Sequence, residues 1–335
     1  MKRFLVVLLA VVMCFSAMAV FTGCGQTKKD KVVLKFCTLE NEEHGQGVLL
    51  KTFKEKVESL SGGQIEVQLF FNGSLYTQDG AIPALRSGEL EMNLTSIQVT
   101  ADYLPSISMF ASTFMFKNYE HMRKVMDSQI GKDLAGQIDK AAGYIPLGYY
   151  YNGSRQLNLD KEEPVMTPAD MKGVLLRMPS SAAWLAAGES LGASVSPLAY
   201  GEVYTALQTG TIDAQDNPMP AVKSSKFYEV TSQMCMTYHI IDFGLIALNS
   251  EIWHSLTEEQ QGWLQEAAAA AAKACDEVIL KNEAELVDFF KSEGLSIVYP
   301  DIAAFSEYAY NYYVTNKLTD DWDMALYDQI QDMAK

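Results

Sequence analysis

Arg177 stands in an awkward place for a charge. It interrupts the apolar run Val174-Leu175-Leu176-Arg177-Met178, and Pro179 then ends the strand. A guanidinium there is rarely left unpaired, because burying a lone ion is costly. At the carboxyl end of a strand in an α/β domain it would sit where ligands collect. Its planar fork matches a carboxylate bidentately. Two partners fit that chemistry equally well: the carboxylate of a bound ligand, or one of the 42 Asp and Glu residues in a structural ion pair. The same stretch, Tyr149 to Asn217, carries Asn152-Gly153-Ser154-Arg155-Gln156 ahead of it.

Other chemistry is not signalled. There is no GxxxxGKS/T loop to cradle phosphates, no HExxH and no GxSxG. The histidines His44, His121, His239 and His254 show no ligand spacing, and the acids are scattered as on a solvated surface. No cofactor or metal is expected, and the chain does not read as an enzyme, although catalytic groups need not be close in sequence. The 335 residues include 26 Lys+Arg against 42 Asp+Glu, a formal net charge of −16. That balance argues against nucleic acid, whose phosphates need clustered cations. It suits a soluble monomer. An anionic ligand would need a few cations focused against this acidic background. With 48% hydrophobic and 20% charged residues, wholesale disorder and collagen-like structure are excluded.

The elements that must position Arg177 alternate. Val32 to Phe36 is a short apolar strand, and Gly47 to Leu60 has helical spacing through Val48, Leu49, Phe53, Val57 and Leu60. Ser61-Gly62-Gly63 stops it, and Ile65 to Leu69 alternates as a strand does. A helix is predicted over Asp79–Arg86, and strands over Met92–Thr95, Tyr144–Tyr151 and Val174–Met178. This βαβα rhythm predicts an α/β fold with largely parallel sheets. Thr257-Glu258-Glu259-Gln260 is a capping box that opens a proline-free run to about Lys291, with all-alanine Ala267–Ala272 inside. One unbroken helix there would be ~50 Å long and could run along two domains. Two helices with a hidden break fit the same residues.

The N-terminus has a basic start, Met1-Lys2-Arg3, then an apolar run from Phe4 to Val20, then Phe21-Thr22-Gly23-Cys24. That is a secretory signal, and it is marginal for a spanning helix of roughly 20 residues. The Thr-Gly-Cys ending resembles a bacterial lipobox, with Cys24 as the lipidated first residue. A plain signal peptide or an uncleaved anchor are the alternatives. Residues 24–31 read as a polar tether. Of the five cysteines, Cys14 lies in the signal; Cys37, Cys235 and Cys275 remain, too far apart for a disulfide framework, and read as buried thiols.

Several blocks in one order resemble a known family. Leu191-Gly192-Ala193, Glu202-Val203-Tyr204, Ala206-Leu207-Gln208-Thr209-Gly210 and Ile212-Asp213-Ala214-Gln215-Asp216-Asn217-Pro218 are similar to the LGA, EVY, ALQTG and IDGQEN blocks of the DctP-like family. These are the extracytoplasmic solute-binding subunits of tripartite ATP-independent periplasmic (TRAP) transporters. Ala214 and Asp216 replace the usual Gly and Glu. Asn152-Gly153-Ser154-Arg155-Gln156 resembles the family's NGTRQ, and the match covers about residues 32 to 300.

The resemblance implies an α/β, two-lobed periplasmic-binding-protein-like fold, with a ligand cleft between the lobes and a long helix spanning both. After the signal (1–23) and tether (24–31), residues 32–152 with 243–283 would form the first lobe. Residues 153–242 with 284–335 would form the second. It implies an organic-acid ligand, such as a C4-dicarboxylate, a 2-oxo acid or a sugar acid. Arg177 would be the main carboxylate clamp, Arg155 a second cation, and Asn217 an amide contact. Tyr200 would pack on the ligand body or lie in the core, and His239 would be structural. Alignment through Ser87-Gly88 adds Leu39, Gln78, Leu94 and Ser96 from the first lobe. These are aliphatic or small where the sialic-acid branch is polar, acidic or aromatic, so a smaller or less hydroxylated acid is expected. The implied partners are TRAP membrane permease subunits and, through the lipid, the membrane. An ABC-type or sensor-type binding protein, or a secreted enzyme on the same scaffold, would share the fold.

Overall fold

The computed structural model describes residues 31–335; the signal, Cys24 and the tether up to residue 30 lie outside the described residues. The chain runs through β1 (Val32–Cys37), α1 (Gly45–Leu60), β2 (Ile65–Phe70), α2 (Gln78–Ser87), β3 (Met92–Ser96), α3 (Ile97–Ala101), α4 (Tyr119–Met126) and α5 (Gln129–Ala142). It continues through β4 (Tyr144–Leu159), β5 (Leu175–Met178), α6 (Ala182–Glu189), β6 (Ser194–Pro197), α7 (Val203–Gln208), β7 (Ala214–Pro218) and α8 (Met219–Ser224). It returns through β8 (Gln233–Asn249), α9 (Ser250–Ser255), α10 (Glu258–Ser292), β9 (Ser296–Val298), α11 (Ile302–Thr315) and α12 (Met324–Asp332).

The strands join in the order β2-β1-β3-β8-β4-β7-β5-β6, with β9 on β8. Pairing is parallel at the two ends, β2-β1-β3 and β7-β5-β6. It is antiparallel in the middle, where β8 meets β3 and β4, and β4 meets β7. The expected parallel pairing therefore holds at the ends and where β9 joins β8, but not across the central strands. The reason is the two long strands: β4 carries the chain from one half of the molecule to the other and β8 brings it back.

Strand β4 does not stop at Tyr151. It passes through Asn152-Gly153, with register shifts at Tyr151/Gly153 and Arg155/Leu157. Gly153 has φ +115, and a Cβ there would lie 2.6 Å from Pro218 Cβ, so only glycine fits the bulge.

Apolar side chains separate at this point. Tyr144, Tyr149, Tyr150 and Tyr151 of β4 pack in a first core with α1, β1–β3 and Ile241–Leu248 of β8. Leu157, Leu159, Cys235 and Ile240 pack in a second core with β5 and Trp184. A third cluster holds Leu207, Met219, Phe227 and Met236. Helix α10 is one unbroken helix of 35 residues whose start is capped reciprocally by Thr257 and Gln260. Its Leu264, Ala268, Cys275 and Ile279 enter the first core, while Leu286 and Phe290 enter the third. It therefore spans both halves. The C-terminal α12 returns to the first core through Ile330, with Ile330 O accepting from His121 Nε2 at 2.8 Å. Cys37, Cys235 and Cys275 are buried free thiols, and burial pushes the first two up to about 12, which makes them inert.

Candidate functional site

A cavity of about 130 Å³ opens between the two halves. It lies at the carboxyl ends of β1, β3, β5 and β7, where an α/β sheet leaves backbone free to meet a ligand. The seven nominated side chains Arg177, Arg155, Asn217, Tyr200, Gln78, Ser96 and Leu39 all line it. Sequence positions from 39 to 217 converge because four strand ends meet there.

Arg177 is 1% exposed. Its Nε donates to Leu198 O at 2.8 Å and its Nη2 to Gln78 Oε1 at 3.1 Å. Among the described residues, no carboxylate pairs with it and its Nη1 has no hydrogen-bond partner. Burial is the largest influence on it and brings its pKa down to about 10. The structural ion pair that its sequence context left open is therefore not made. Its guanidinium carbon lies 5.9 Å from the centre of the Tyr200 ring.

Arg155 is the opposite case. Its Nε and Nη2 grip Asp216 Oδ2 and Oδ1, each at 2.8 Å, and its Nη1 donates to Asp242 Oδ2 at 2.9 Å. It also lies over the Trp184 ring at 4.4 Å. Expected as a second cation at the ligand, Arg155 does line the cavity, with its fork occupied by two buried carboxylates. Burial opposes charge on Asp216, but Arg155 and His239 outweigh it and hold that carboxyl well below the usual range. Asp242 is pushed up by burial, with Arg155 opposing. His239 is fully buried, its Nε2 2.9 Å from Asp216 Oδ2 and its Nδ1 2.7 Å from Thr237 Oγ1. Asn217 is held in the same network: its Oδ1 accepts from Arg155 Nη2 at 3.2 Å and its Nδ2 donates to Gln215 Oε1 at 2.5 Å.

Gln78 and Tyr200 bridge the halves. Gln78 Oε1 accepts from Tyr200 N at 3.0 Å as well as from Arg177. Tyr200 Oη donates to Glu40 Oε1 at 2.9 Å. Burial first, then Glu40, raises the Tyr200 hydroxyl well above its ordinary pKa. Ser96 caps α3, accepting from Val99 N at 3.2 Å. Leu39 and Leu94 supply apolar surface.

Sequence reasoning missed several lining residues: Glu40, Asn93, Tyr150, Asn152 and Asp242. The rule that nominated Arg177, a strand's carboxyl end, also points to Thr38–Glu40 after β1. Asp242 was out of reach because β8 was not recognised as a strand. The lining is richer in hydrogen-bonding groups than Leu39, Leu94 and Ser96 suggested. At Gly244 the chain must stay bare, since a Cβ would meet the Tyr150 ring at 2.2 Å.

A model of the bacterial extracellular solute-binding protein family 7, DctP, matches residues 36–317. The chain belongs to this family. The sialic acid-binding periplasmic protein SiaP of Vibrio cholerae is 30% identical over 77% of this chain and 79% of its own. A TRAP periplasmic solute binding protein from Roseobacter denitrificans, solved with bound 3-deoxy-D-manno-oct-2-ulosonic acid, superposes with a TM-score of 0.85. It is 37% identical and covers 91% of this chain and all (100%) of that one. A second from the same organism, solved with L-galactonate, gives 0.83 at 28% identity, covering 91% of this chain and 99% of its own. This DctP-family chain thus has the two-lobed TRAP binding-protein fold. Its family and its neighbours are ligand-binding transport proteins, extracytoplasmic or periplasmic. Among the described residues, no helix is long and apolar enough to cross a membrane.

Proposed function

We propose that the protein captures a small organic acid in the cavity, with Arg177 clamping its carboxylate, and delivers it to a TRAP membrane permease. One observation carries this reading: among the described residues, Arg177 is a buried cation with no carboxylate paired to it and an unused Nη1. A ligand carboxylate supplies the missing counter-charge and can engage the fork. Arg155 acts at one remove, holding Asn217, Asp216 and Asp242 in place. Among the family's ligand classes a sugar acid suits the cavity best. Thr38, Gln46, Asn93 and Asn152 offer partners to several hydroxyls, and relatives are solved with 3-deoxy-D-manno-oct-2-ulosonic acid and L-galactonate.

The two lobes divide near residues 152, 242 and 283, where the cores change. Residues 284–310 belong to the second lobe, and Tyr313, Trp322 and Ile330 strap the C-terminal segment back onto the first. The protein works as a monomer, exported by its signal and held at the membrane by a lipid on Cys24. Cys24→Ser releases it from membranes; retention of the variant with its N-terminus intact contradicts the anchor.

Thermal-shift screening against sugar acids, 2-oxo acids and dicarboxylates tests the reading. A true ligand at 100 times its dissociation constant adds ~2.7 kcal/mol of stability. No shift with any acid refutes the proposal.

A further inference from the structure

The cavity has a second pole. Glu40, in the loop after β1, lines it and is 8% exposed. Its Oε1 accepts from Tyr200 Oη and its Oε2 from Ser224 Oγ, both at 2.9 Å. Among the described residues no cation pairs with it. Asp242 adds a second carboxylate to the lining. Its Oδ2 takes both Arg155 Nη1 and Asn152 Nδ2, at 2.9 and 3.0 Å, while its Oδ1 has no partner among the described residues. Among the described residues the cavity thus joins one guanidinium without an ion pair, Arg177, to one carboxylate without an ion pair, Glu40. Arg155 cannot balance Glu40, because its charge is already shared between Asp216 and Asp242.

A ligand spanning such a cavity must be an anion at one end and a hydrogen-bond donor at the other. Carboxylate oxygens accept only, so they welcome hydroxyls and repel a second anion. We propose that Glu40 is the specificity-determining residue that restricts this site to hydroxylated monocarboxylates and excludes dicarboxylates. The inference rests on the sugar-acid reading above and sharpens it. The C4-dicarboxylate alternative falls away, because among the described residues only one cation lining the cavity has no ion pair.

Aldonate and aldarate pairs test it, since the two differ only at the end remote from the first carboxylate. Gluconate with glucarate and galactonate with galactarate are titrated calorimetrically into the full chain. The expected result is an aldonate preference of at least 100-fold. In Glu40→Gln, which keeps acceptor and shape but removes the charge, the preference drops to 10-fold or less. Glu40→Asp keeps the charge and keeps the preference. A ligand-side arm needs no variant: the aldarate monoamide, with its distal charge removed, recovers at least tenfold in affinity for the wild-type protein. Aldonate binding with an unchanged ratio in folded Glu40→Gln, or no recovery by the monoamide, overturns the role of Glu40 and leaves the organic-acid reading standing. If no aldonate in the panel binds while another acid does, the inference also falls. If no acid binds at all, both fall together.

Discussion

Replacing Arg177 and Arg155 in turn should give opposite outcomes, although both are buried arginines lining one cavity. Arg177→Met keeps volume and removes charge. In the empty protein that charge is a liability: a pKa brought from 12.5 to about 10 corresponds to about 3 kcal/mol against the cation. The variant loses the hydrogen bonds to Leu198 O and Gln78 Oε1, worth roughly 1 kcal/mol each. Gln78 Oε1 keeps its bond from Tyr200 N. Stability without ligand should therefore be unchanged or slightly raised. Affinity should collapse, because removing one partner of a desolvated charge pair costs about 2–5 kcal/mol, a ~30-fold to several-thousandfold loss. Arg177→Lys should also bind poorly, since an ammonium lacks the fork. Arg155→Met strands Asp216 and Asp242, each over 95% buried, which costs about 3–5 kcal/mol of stability. At two to four degrees per kcal/mol that lowers the melting temperature by ~6–20 °C. Calorimetry and thermal unfolding on both variants decide the matter. If Arg177→Met loses several kcal/mol of stability yet binds normally, Arg177 is a structural residue and the clamp reasoning is refuted.

Three further outcomes follow from the geometry. Gly153→Ala must adopt φ +115 and meets Pro218, so it should cost about 2–4 kcal/mol; an unchanged urea midpoint contradicts the bulge. Burial lowers the pKa of His44 and of His121, partly offset by the Glu40 carboxylate at the first and the Ile330 carbonyl at the second. The unfolded chain then binds more protons, so stability is fully present above about pH 6.5 and falls on acidification, by up to ~1.4 kcal/mol per unit for each histidine. His44→Asn, which keeps the cap on Gln46 N, should flatten the fall between pH 7 and 5.5; an identical profile refutes that assignment. Ligand should lower the radius of gyration in X-ray scattering, as lobe closure requires; an unchanged value under saturation argues for a rigid molecule.

The sequence made some of this legible for clear physical reasons. Arg177 stood out because an apolar strand rarely tolerates a charge, and α10 because a capping box and an alanine run leave little freedom. The continuity of β4 was hidden, since Asn152-Gly153 carries the turn signal that a glycine bulge also uses. The 17-residue β8 was hidden because it is buried on nearly every residue and so lacks the alternation of a half-exposed strand. The commitment of Arg155 could not be read at all. Its partners lie 61 and 87 positions away, and only the crossing of β4, β7 and β8 brings them together. Glu40 was within reach of the strand-end rule, but its neighbours Tyr200 and Ser224 were not, since they come from the other half of the chain.

The most direct measurement of the central claim is a calorimetric titration of a sugar acid beside its own uncharged primary amide. Arg177, which has no carboxylate partner among the described residues, requires the acid to bind one to one and the amide to bind at least ~30-fold more weakly, with the gap closing in Arg177→Met. Equal binding of acid and amide to the wild-type protein would contradict carboxylate recognition at this site.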